Sequence, residues 1–483
     1  MYMASLSLLL AMLLLFGLSN RMPKMVFGQS IRFPSQLHIP LLQYPIGPGR
    51  VQNARMNMKR QVEDTRYGSD SKTFRRAHGY NLLVNHRIDT NYYGSIFVGT
   101  PPVAYNIFLD TGSADLWLAG STCSKCDEGI SKFNTLSSTT FEGLSGDFNI
   151  NYGSGEVSGT FGRDTVQLAG MEVGNQVFGV VNSISDDILD PSVSGLIGLA
   201  WRSLSPSNTE PLWQTLFASG VLDEPLMAFQ LTNFRGYSEP SPLLPGGTFS
   251  LGAVNETLYT GQIDYQDMPP VDDRKHWILP LSGITVNGIA VSLPTGEDSY
   301  AVIDTGTTLV SGPEEQIAEL YAQIPGAELN SGGDYDGFYS YPCSLAPTVN
   351  VTLSFGTGPG WPITPTNFIF SQPETGTCIG AFVPSSQNIA FGAPWIVGIA
   401  FLNNVYSVFR ADPPSIGFAA LSTRAKDFGK SAVLPTPTIA SVSVNVTGSG
   451  SVGSGSSVYG RRELGNTGWT WVPCIGWSML LHL

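Results

Sequence analysis

Two aspartates in equivalent settings are the residues of this chain best suited to do chemistry. Asp110 follows the apolar Phe108-Leu109 and precedes Thr-Gly-Ser, whereas Asp304 follows Val302-Ile303 and precedes Thr-Gly-Thr. An apolar-apolar-Gly element lies downstream of each aspartate, at residues 196–198 and 396–398. A single Asp-Thr-Gly is a weak signal, but two copies in matching contexts indicate an internal repeat and therefore two related lobes.

The chemistry that such a pair would do follows from charge. If the two lobes face each other, the carboxyl groups of Asp110 and Asp304 meet, and two carboxylates in contact share one proton because both cannot ionise cheaply. The ionised member would take a proton from a water that attacks a carbonyl carbon. The protonated member would hydrogen-bond the carbonyl oxygen and later help to protonate the leaving nitrogen. Either aspartate alone is better interpreted as a turn or capping residue.

The composition excludes several other functions. The net charge of −13 argues against nucleic-acid binding, because few cations are available to neutralise phosphates. Only His276 lies between residues 88 and 481, so a His-rich metal site is excluded from the body of the chain. A Ser–His–Asp mechanism would have to use His276, which we interpret as a strand residue and not as a catalyst.

The elements that must position the aspartates are mostly strands. The 54 Gly, 33 Pro and many β-branched residues favour short strands and turns over long helices. Two short helices are predicted at residues 211–219 and 313–323, each with proline at its start. A hairpin is predicted from the alternating residues 147–152 and 156–161 around a Gly-Ser-Gly turn. The chain is therefore predicted to be all-β with a few surface helices.

Taken together, residues 110–117 and 304–308 resemble the two signatures of pepsin-like aspartic proteases, in particular fungal-type secreted ones with a basic prosegment. The similarity runs from about residue 92 to residue 419, roughly two thirds of the chain. It implies an all-β, bilobal pepsin-like fold with a deep peptide-binding cleft and a flap hairpin. The implied protein is a secreted, monomeric aspartic endopeptidase made as a zymogen, with no cofactor or metal. It would cut polypeptides beside bulky apolar residues and be inhibited by its own prosegment.

The resemblance also assigns roles to single residues. Asp110 and Asp304 would form the catalytic dyad, and the residues that support them would be Thr111, Gly112, Ser113, Thr305, Gly306 and Thr307. The two threonines after the aspartates would interlock the loops, and Ser113 and Thr307 would hydrogen-bond the carboxylates. The flap and cleft residues would be Tyr152, Gly153, Ser154 and Trp117, with the Tyr152 hydroxyl reaching Trp117. Without the resemblance, Tyr152 is better interpreted as an ordinary strand aromatic.

One position departs from the family pattern. Ile399 follows Gly398 where many acid-acting relatives carry aspartate. A carboxylate near Asp304 is thereby absent, so we expect the activity to be highest in mildly acidic conditions.

The cysteines suit an exported protein. Cys343 and Cys378 resemble the disulfide of the family's second lobe, and Cys123 and Cys126 lie where relatives close a small loop. A Cys-x-x-Cys can instead be redox-active or half of a zinc site, although a structural bridge is the favoured interpretation. Cys474 is left over. The pattern Asn-x-Thr predicts N-glycosylation at Asn255, Asn350 and Asn445.

The charge pattern divides the chain into segments. Residues 1–28 are predicted to be a signal peptide, residues 29–76 a basic prosegment, 77–262 an N-terminal lobe and 263–420 a C-terminal lobe. The first 87 residues contain 12 of the 25 basic residues, and the remainder carries a net charge of −22. The prosegment is therefore expected to dock electrostatically, and acidification would release it. Pairs of basic residues at 59–60 and 75–76 place the mature N-terminus at Gln61 or Ala77, through self-processing or a host protease.

The last segment, residues 421–483, lies beyond the resemblance. Residues 431–457 resemble a glycosylated stalk or linker. The small residues 454–456, a polar spacer and an apolar end follow the order of a lipid-anchor (GPI) signal. The sequence leaves open a cell-surface enzyme and a freely secreted one.

Two other functions remain as alternatives for the whole chain, an inactive binding protein that keeps the fold and a Ser or metal hydrolase.

Overall fold

The computed structural model describes residues 76–428, except 154, 186–187, 190–191, 236–242, 272 and 386–391, and also describes residues 444–448. The expected signal peptide, the prosegment up to residue 75, the basic pair at 59–60, Cys474 and the anchor signal lie outside these ranges. Within them, none of the helices has the length and apolar character needed to cross a bilayer.

Strands dominate the described residues, as predicted. Those of the first half are β1 (Gly79–His86), β2 (Asn91–Val98), β3 (Val103–Asp110), β4 (Leu116–Ala119), β5 (Glu142–Tyr152), β6 (Gly155–Leu168), β7 (Met171–Ile184), β8 (Gly195–Gly198), β9 (Leu226–Leu231), β10 (Leu243–Leu251) and β11 (Tyr259–Asp267). Those that follow are β12 (Ile278–Val286), β13 (Ile289–Val291), β14 (Tyr300–Ile303), β15 (Val310–Gly312), β16 (Glu328–Leu329), β17 (Tyr339–Pro342), β18 (Val351–Phe355), β19 (Gly360–Ile363), β20 (Ile369–Glu374), β21 (Thr377–Gly380), β22 (Phe382–Pro384), β23 (Trp395–Val397), β24 (Val405–Ala411), β25 (Pro414–Leu421) and β26 (Val444–Thr447).

In the described part of the chain these strands form three sheets. The largest contains 14 strands in the order β11-β25-β24-β9-β10-β1-β2-β3-β8-β4-β7-β6-β5, with β26 beside β7. A second, eight-stranded sheet contains β19-β18-β12-β14-β23-β15-β22 with β13 beside β12, and a small sheet has the order β16-β17-β21-β20. The late strands β24 and β25 pair with β9 and β11, so the largest sheet is shared by both halves of the chain.

The internal repeat is visible in the strand order. The first half contains the run β3-β8-β4-β7 and the second half the run β14-β23-β15-β22, with the same parallel, antiparallel and parallel pairings. Several of these strands are short, apolar and almost wholly buried, as expected for strands covered on both faces. The expected all-β, bilobal fold with two related halves is confirmed.

The main hydrophobic core continues from one half to the other. Trp277 is fully buried and packs against Trp201 and Trp213, with ring centroids 4.9 and 5.6 Å away. Its indole N–H donates to the carbonyl of Leu199, at 2.9 Å, directly after the first apolar-apolar-Gly element. Burial of a large apolar side chain stabilises a fold by about 1.5–3 kcal/mol. Trp277 therefore helps to fix the segment that follows β8 onto the second half of the chain.

The helices are short: α1 (Leu212–Ala218), α2 (Glu314–Ala322), α3 (Pro365–Phe368), α4 (Ile399–Leu402) and α5 (Thr423–Lys426). The first two confirm the predicted helices, with Pro211 and Pro313 at their N-caps. Gly220 and Gly326 follow them at φ values of 69° and 76°, the left-handed conformation in which helices often end. The lobe boundary expected between residues 262 and 263 falls inside β11.

The interpretation of residues 431–457 as a stalk or linker is wrong for four of them. Strand β26 pairs in parallel with β7, Val444 opposite Met171 and Thr447 opposite Gly174. Val444 and Val446 pack against the main core, and the two residues between and after them are exposed. This period-two alternation is the strand signal, and its Ser- and Gly-rich surroundings obscured it.

Candidate active site

Each aspartate of the repeat lies at the end of a buried strand that pairs with the apolar-apolar-Gly element of its own half. Asp110 is the last residue of β3, and its carbonyl accepts the N–H of Leu199 at 2.7 Å. Asp304 follows β14, and its N–H donates to the carbonyl of Val397 at 3.0 Å. The parallel pairs β3–β8 and β14–β23 therefore hold the two carboxyl groups in matching positions.

The threonines after the aspartates join the two loops. The Thr305 hydroxyl oxygen accepts the N–H of Thr111 at 3.0 Å, and the Thr111 hydroxyl oxygen accepts the N–H of Thr305 at 2.9 Å. Each hydroxyl also donates across the interface, Thr111 to the carbonyl of Ile303 and Thr305 to that of Leu109, at 2.9 and 2.7 Å. All four bonds are buried, and they connect residues nearly 200 positions apart in the chain.

The two carboxyl groups come together between the loops. The side chains of Asp110 and Asp304 are close enough for their charges to interact, and each residue is less than a tenth exposed. A Cβ atom on Gly112 would lie 2.6 Å from the Asp304 carboxyl carbon, and one on Gly306 would lie 2.3 Å from Oδ1 of Asp110. Glycine is required at both positions because any side chain would occupy the space of the opposite carboxyl group.

Hydrogen bonds within each loop hold the carboxyl oxygens in matching ways. The N–H groups of Gly112 and Gly306 donate to Oδ1 of the aspartate two residues earlier, both at 2.8 Å. The Ser113 hydroxyl donates to Oδ2 of Asp110, and the Thr307 hydroxyl donates to Oδ2 of Asp304 at 2.6 Å. The structure therefore brings together every dyad residue that the resemblance indicates.

The electrostatics of the pair favour one shared proton. Burial raises the pKa of Asp110 well above its usual range, and the charge of Asp304 raises it further. The hydroxyl of Ser113 and the N–H of Gly112 act in the opposite direction because they stabilise the carboxylate. Such a pair can remove a proton from a water with one oxygen and donate a hydrogen bond with another.

The predicted flap is present beside the dyad. Strands β5 and β6 form a hairpin in which Tyr152 pairs with Gly155, and Gly153 lies in the turn. The indole N–H of Trp117 donates to the Tyr152 hydroxyl at 2.8 Å, as expected from the resemblance. Burial and, to a smaller extent, the charge of Asp110 raise the pKa of the Tyr152 hydroxyl, so the flap tyrosine lies close to the dyad. Ser154 lies outside the described residues.

Sequence reasoning missed Asp115, which is buried five residues after Asp110. Its carboxylate accepts the hydroxyls of Ser205, Ser207 and Thr209. Its carbonyl accepts the N–H of Gly198, at 2.9 Å. Through these hydrogen bonds, Asp115 holds the first aspartate loop against the segment that follows β8. The only sequence signal is a second acid within the first motif.

His276 is not a strand residue, because β12 begins two residues later. His276 is buried, and burial lowers the pKa of its imidazole to about 4. The charge of Asp304 acts in the opposite direction but is the smaller effect. The imidazole is therefore neutral at mildly acidic pH.

Ile399, the departure from the family pattern, is buried, and its N–H donates to the carbonyl of Thr307 at 2.8 Å.

Both expected cysteine pairs lie at disulfide geometry. The Cα atoms of Cys123 and Cys126 are 5.5 Å apart, and those of Cys343 and Cys378 are 5.0 Å apart. The Lys132 ammonium donates to the carbonyls of Cys123 and Cys126, which closes the small loop. Across the described ranges, no group of three or more His, Cys, Asp or Glu is placed to hold a metal ion.

The predicted glycosylation acceptors lie at or near the surface. Asn350 and Asn445 are exposed and Asn255 is half-buried. The Asn255 side-chain carbonyl accepts the hydroxyl of Thr257 at 2.8 Å, and the Asn445 amide donates to Glu172 at 2.5 Å. Modification at these sites stays a prediction.

Comparison with known proteins agrees with this geometry. Residues 91–421 match the family described as eukaryotic aspartyl protease. Major aspartyl peptidase 1 of Cryptococcus neoformans var. grubii serotype A is 39% identical over 356 residues, which cover 72% of each chain. An aspartic protease of Phaffia rhodozyma is 35% identical over 71% of this chain and 80% of its own, and pepsin A of Sus scrofa is 31% identical over 69% and 82%. The chain therefore belongs to the eukaryotic aspartyl protease family, and it is an aspartic endopeptidase.

Proposed function

We propose that Asp110 and Asp304 are the catalytic residues of this endopeptidase. The observation that carries the proposal is the position of their two buried carboxyl groups, each of which fills the space beside the glycine of the opposite loop. The pair holds one proton, and its ionised oxygen removes a proton from a water as that water adds to the peptide carbonyl carbon. The protonated oxygen hydrogen-bonds the carbonyl oxygen. Proton transfer to the leaving nitrogen then breaks the C–N bond and releases one acid and one amine.

The substrate is an extended polypeptide with bulky apolar residues at the cut. The apolar side chains beside the flap support this preference: Tyr152 and Ile188 pack against a buried cluster that includes Phe148, Ile150 and Leu189. Closure of the flap over such a surface excludes water from the dyad. Casein cleavage at pH 4–5, abolished by a statine inhibitor and by Asp110→Asn, tests the proposed activity. Cleavage that persists in Asp110→Asn would contradict it.

The enzyme is made as a zymogen and is exported. Support comes from the apolar N-terminus, the basic segment 29–76 and the acidic body that follows. As pH falls, the carboxylates of the body bind protons, so the attraction to the prosegment weakens and the cleft opens. Purified proform should convert faster at pH 4 than at pH 7. Equal rates would contradict this mechanism.

The mature chain begins at Ala77 and not at Gln61. Arg76 is exposed, whereas Ala77 is buried, donates its N–H to the carbonyl of Val221 at 2.7 Å and accepts the N–H of Asp223 at 2.9 Å. Ala77, directly after the basic pair, is therefore held by the body of the fold. N-terminal sequencing of the secreted protein should read Ala77. The same N-terminus in Asp110→Asn would assign the cut to a host protease, and uncleaved chain would assign it to self-processing.

The mature enzyme acts as a monomer outside the cell. The predicted leader supports secretion, and the end of the chain supports attachment to the cell surface through a lipid. Release of cell-bound activity by a phosphatidylinositol-specific phospholipase tests the attachment. Activity found only in the medium would indicate a freely secreted enzyme. An inactive binding protein with this fold is the second candidate, but such proteins usually lose an aspartate, the flap tyrosine or a glycine, and all of these are present in this sequence.

A further inference from the structure

The turn between β1 and β2 has an unusual backbone. Arg87, Ile88 and Asp89 have φ values of 49°, 46° and 62°, so three successive residues other than glycine adopt the left-handed conformation. This conformation is strained for a residue that carries a Cβ atom. A turn of this kind persists only when its surroundings hold it in place, and strain of this kind is concentrated near functional sites.

The side chain of Asp89 holds the turn. Its carboxylate is fully buried and accepts the N–H of Phe234 at 3.0 Å, the N–H of Arg235 at 3.0 Å and the amide of Asn85 at 2.5 Å. The Asn85 carbonyl oxygen in turn accepts the N–H of Asp89 at 2.7 Å. Hydrogen bonds from backbone N–H groups to a buried carboxylate are among the stronger ones in proteins.

Asp89 and the groups that hydrogen-bond its carboxylate form what we call the Asp89 clamp. Arg235 connects this clamp to the second half of the molecule. Its Nε lies 3.9 Å from Oδ2 of Asp89, and its side chain is only 10% exposed. The guanidinium donates to the carbonyl of Ile369 in β20 and lies 5.9 Å from the ring of Phe370. The turn is thus anchored by groups from both halves of the chain.

The same turn contacts the second aspartate loop. The carbonyl of Thr90, the residue after Asp89, accepts the hydroxyl of Thr308 at 2.8 Å. Thr308 is the fourth residue after Asp304, and its own carbonyl accepts the N–H of Ala400 at 2.9 Å. The Asp304 loop is therefore held from two sides, by α4 of its own half and by the strained turn of the other half.

We propose that Asp89 is a positioning residue for catalysis: with Arg235, it fixes the Thr90 carbonyl that holds the Asp304 loop through Thr308. This role rests on the proposed function of the dyad. It goes beyond that function, because it assigns to a buried carboxylate outside the dyad the task of setting the distance between the two catalytic groups. Small displacements of catalytic groups are costly, and about 1 Å can lower the rate about 100-fold.

The hydroxyl of Thr308 provides the direct test. Thr308→Val removes the bond to Thr90 and keeps the shape, whereas Thr308→Ser keeps the hydroxyl. We expect Thr308→Val to lower kcat on a peptide substrate about 10-fold to 100-fold with KM unchanged, and Thr308→Ser to restore most of kcat. A normal kcat in Thr308→Val would overturn the proposal. A raised KM at normal kcat would also overturn it, because Thr308 would then act on substrate binding.

The test of Asp89 itself is a double-mutant cycle. Asp89→Asn should lower kcat, and adding Thr308→Val should lower it no further, because both changes interrupt one path. Effects that multiply would contradict the path. Asp223→Asn, a change at an exposed acid paired with His78, is the matched control and should leave kcat unchanged. If Asp89→Asn does not fold, the Thr308 pair decides the question.

Asp110→Asn is measured in parallel so that the two proposals can fail separately. Activity that survives Asp110→Asn contradicts the proposed function. Normal kcat in Thr308→Val, together with an inactive Asp110→Asn, contradicts the positioning role alone.

Discussion

Thr111 and Thr305 exchange hydrogen bonds across the centre of the molecule, each hydroxyl accepting the other's N–H and donating to the strand that carries the other aspartate. Two loops from different halves are thereby fixed as one unit. The geometry explains why the paired carboxyl groups stay in contact although each is costly to bury and ionise beside the other.

Replacing Thr111 by valine should therefore damage both stability and activity. Thr111→Val leaves a buried N–H of Thr305 and a buried carbonyl of Ile303 unpaired, at about 1–3 kcal/mol for each group. We expect a lower free energy of unfolding in urea and a kcat reduced at least tenfold. Thr111→Ser is the control and should stay close to wild type. Unchanged stability in Thr111→Val would show that the reciprocal bonds contribute little.

The flap should depend on the hydroxyl of Tyr152. Tyr152→Phe leaves the buried indole N–H of Trp117 without its acceptor. Because the flap is then held less firmly over the dyad, kcat/KM on a peptide substrate should fall about tenfold, or about 1.4 kcal/mol. Trp117→Phe removes the donor as well, so its effect should not add to that of Tyr152→Phe. Full activity in Tyr152→Phe would exclude this role of the hydroxyl.

The pH dependence should be bell-shaped with its maximum in mild acid. The raised pKa of Asp110 keeps its proton at pH values above the ordinary aspartate value of about 3.9. Activity is therefore retained as pH rises above that value and is lost as pH passes the raised pKa. On the acid side, activity falls because a general base that already carries a proton cannot accept one from water. A profile of kcat/KM that peaks near pH 2 would contradict this prediction and the interpretation of Ile399.

The disulfide between Cys343 and Cys378 should contribute more stability than the one between Cys123 and Cys126. The first closes a loop with a sequence separation of 35 and the second one of only 3. In the chain-entropy account the longer loop loses more freedom in the unfolded state, so replacing Cys343 and Cys378 by serine should cost about 2–4 kcal/mol. Scanning calorimetry of the two double-serine variants compares them. Equal losses would indicate that local strain decides the outcome.

The dyad and the flap could be predicted from the sequence because their signals are local. Asp110 and Asp304 each carry their supporting residues within three positions, and the flap is a single hairpin. The clamp around Asp89 had no such signal, since its partners Phe234 and Arg235 lie about 145 residues away and donate mainly through backbone N–H groups. Only the folded chain shows which backbone groups meet that carboxylate. For the same reason β26 was missed, because its partner β7 is remote in sequence.

The most direct test of the central claim is the activity of Asp110→Asn, Asp304→Asn and the double variant on one peptide substrate. A proton shared between acids from opposite halves requires both, so each single variant should lose at least 1,000-fold in kcat/KM, within the range attributed to acid–base catalysis of about 10²–10⁴. The double variant should be no worse than either single one. A single variant that retains activity within tenfold of wild type would contradict the account.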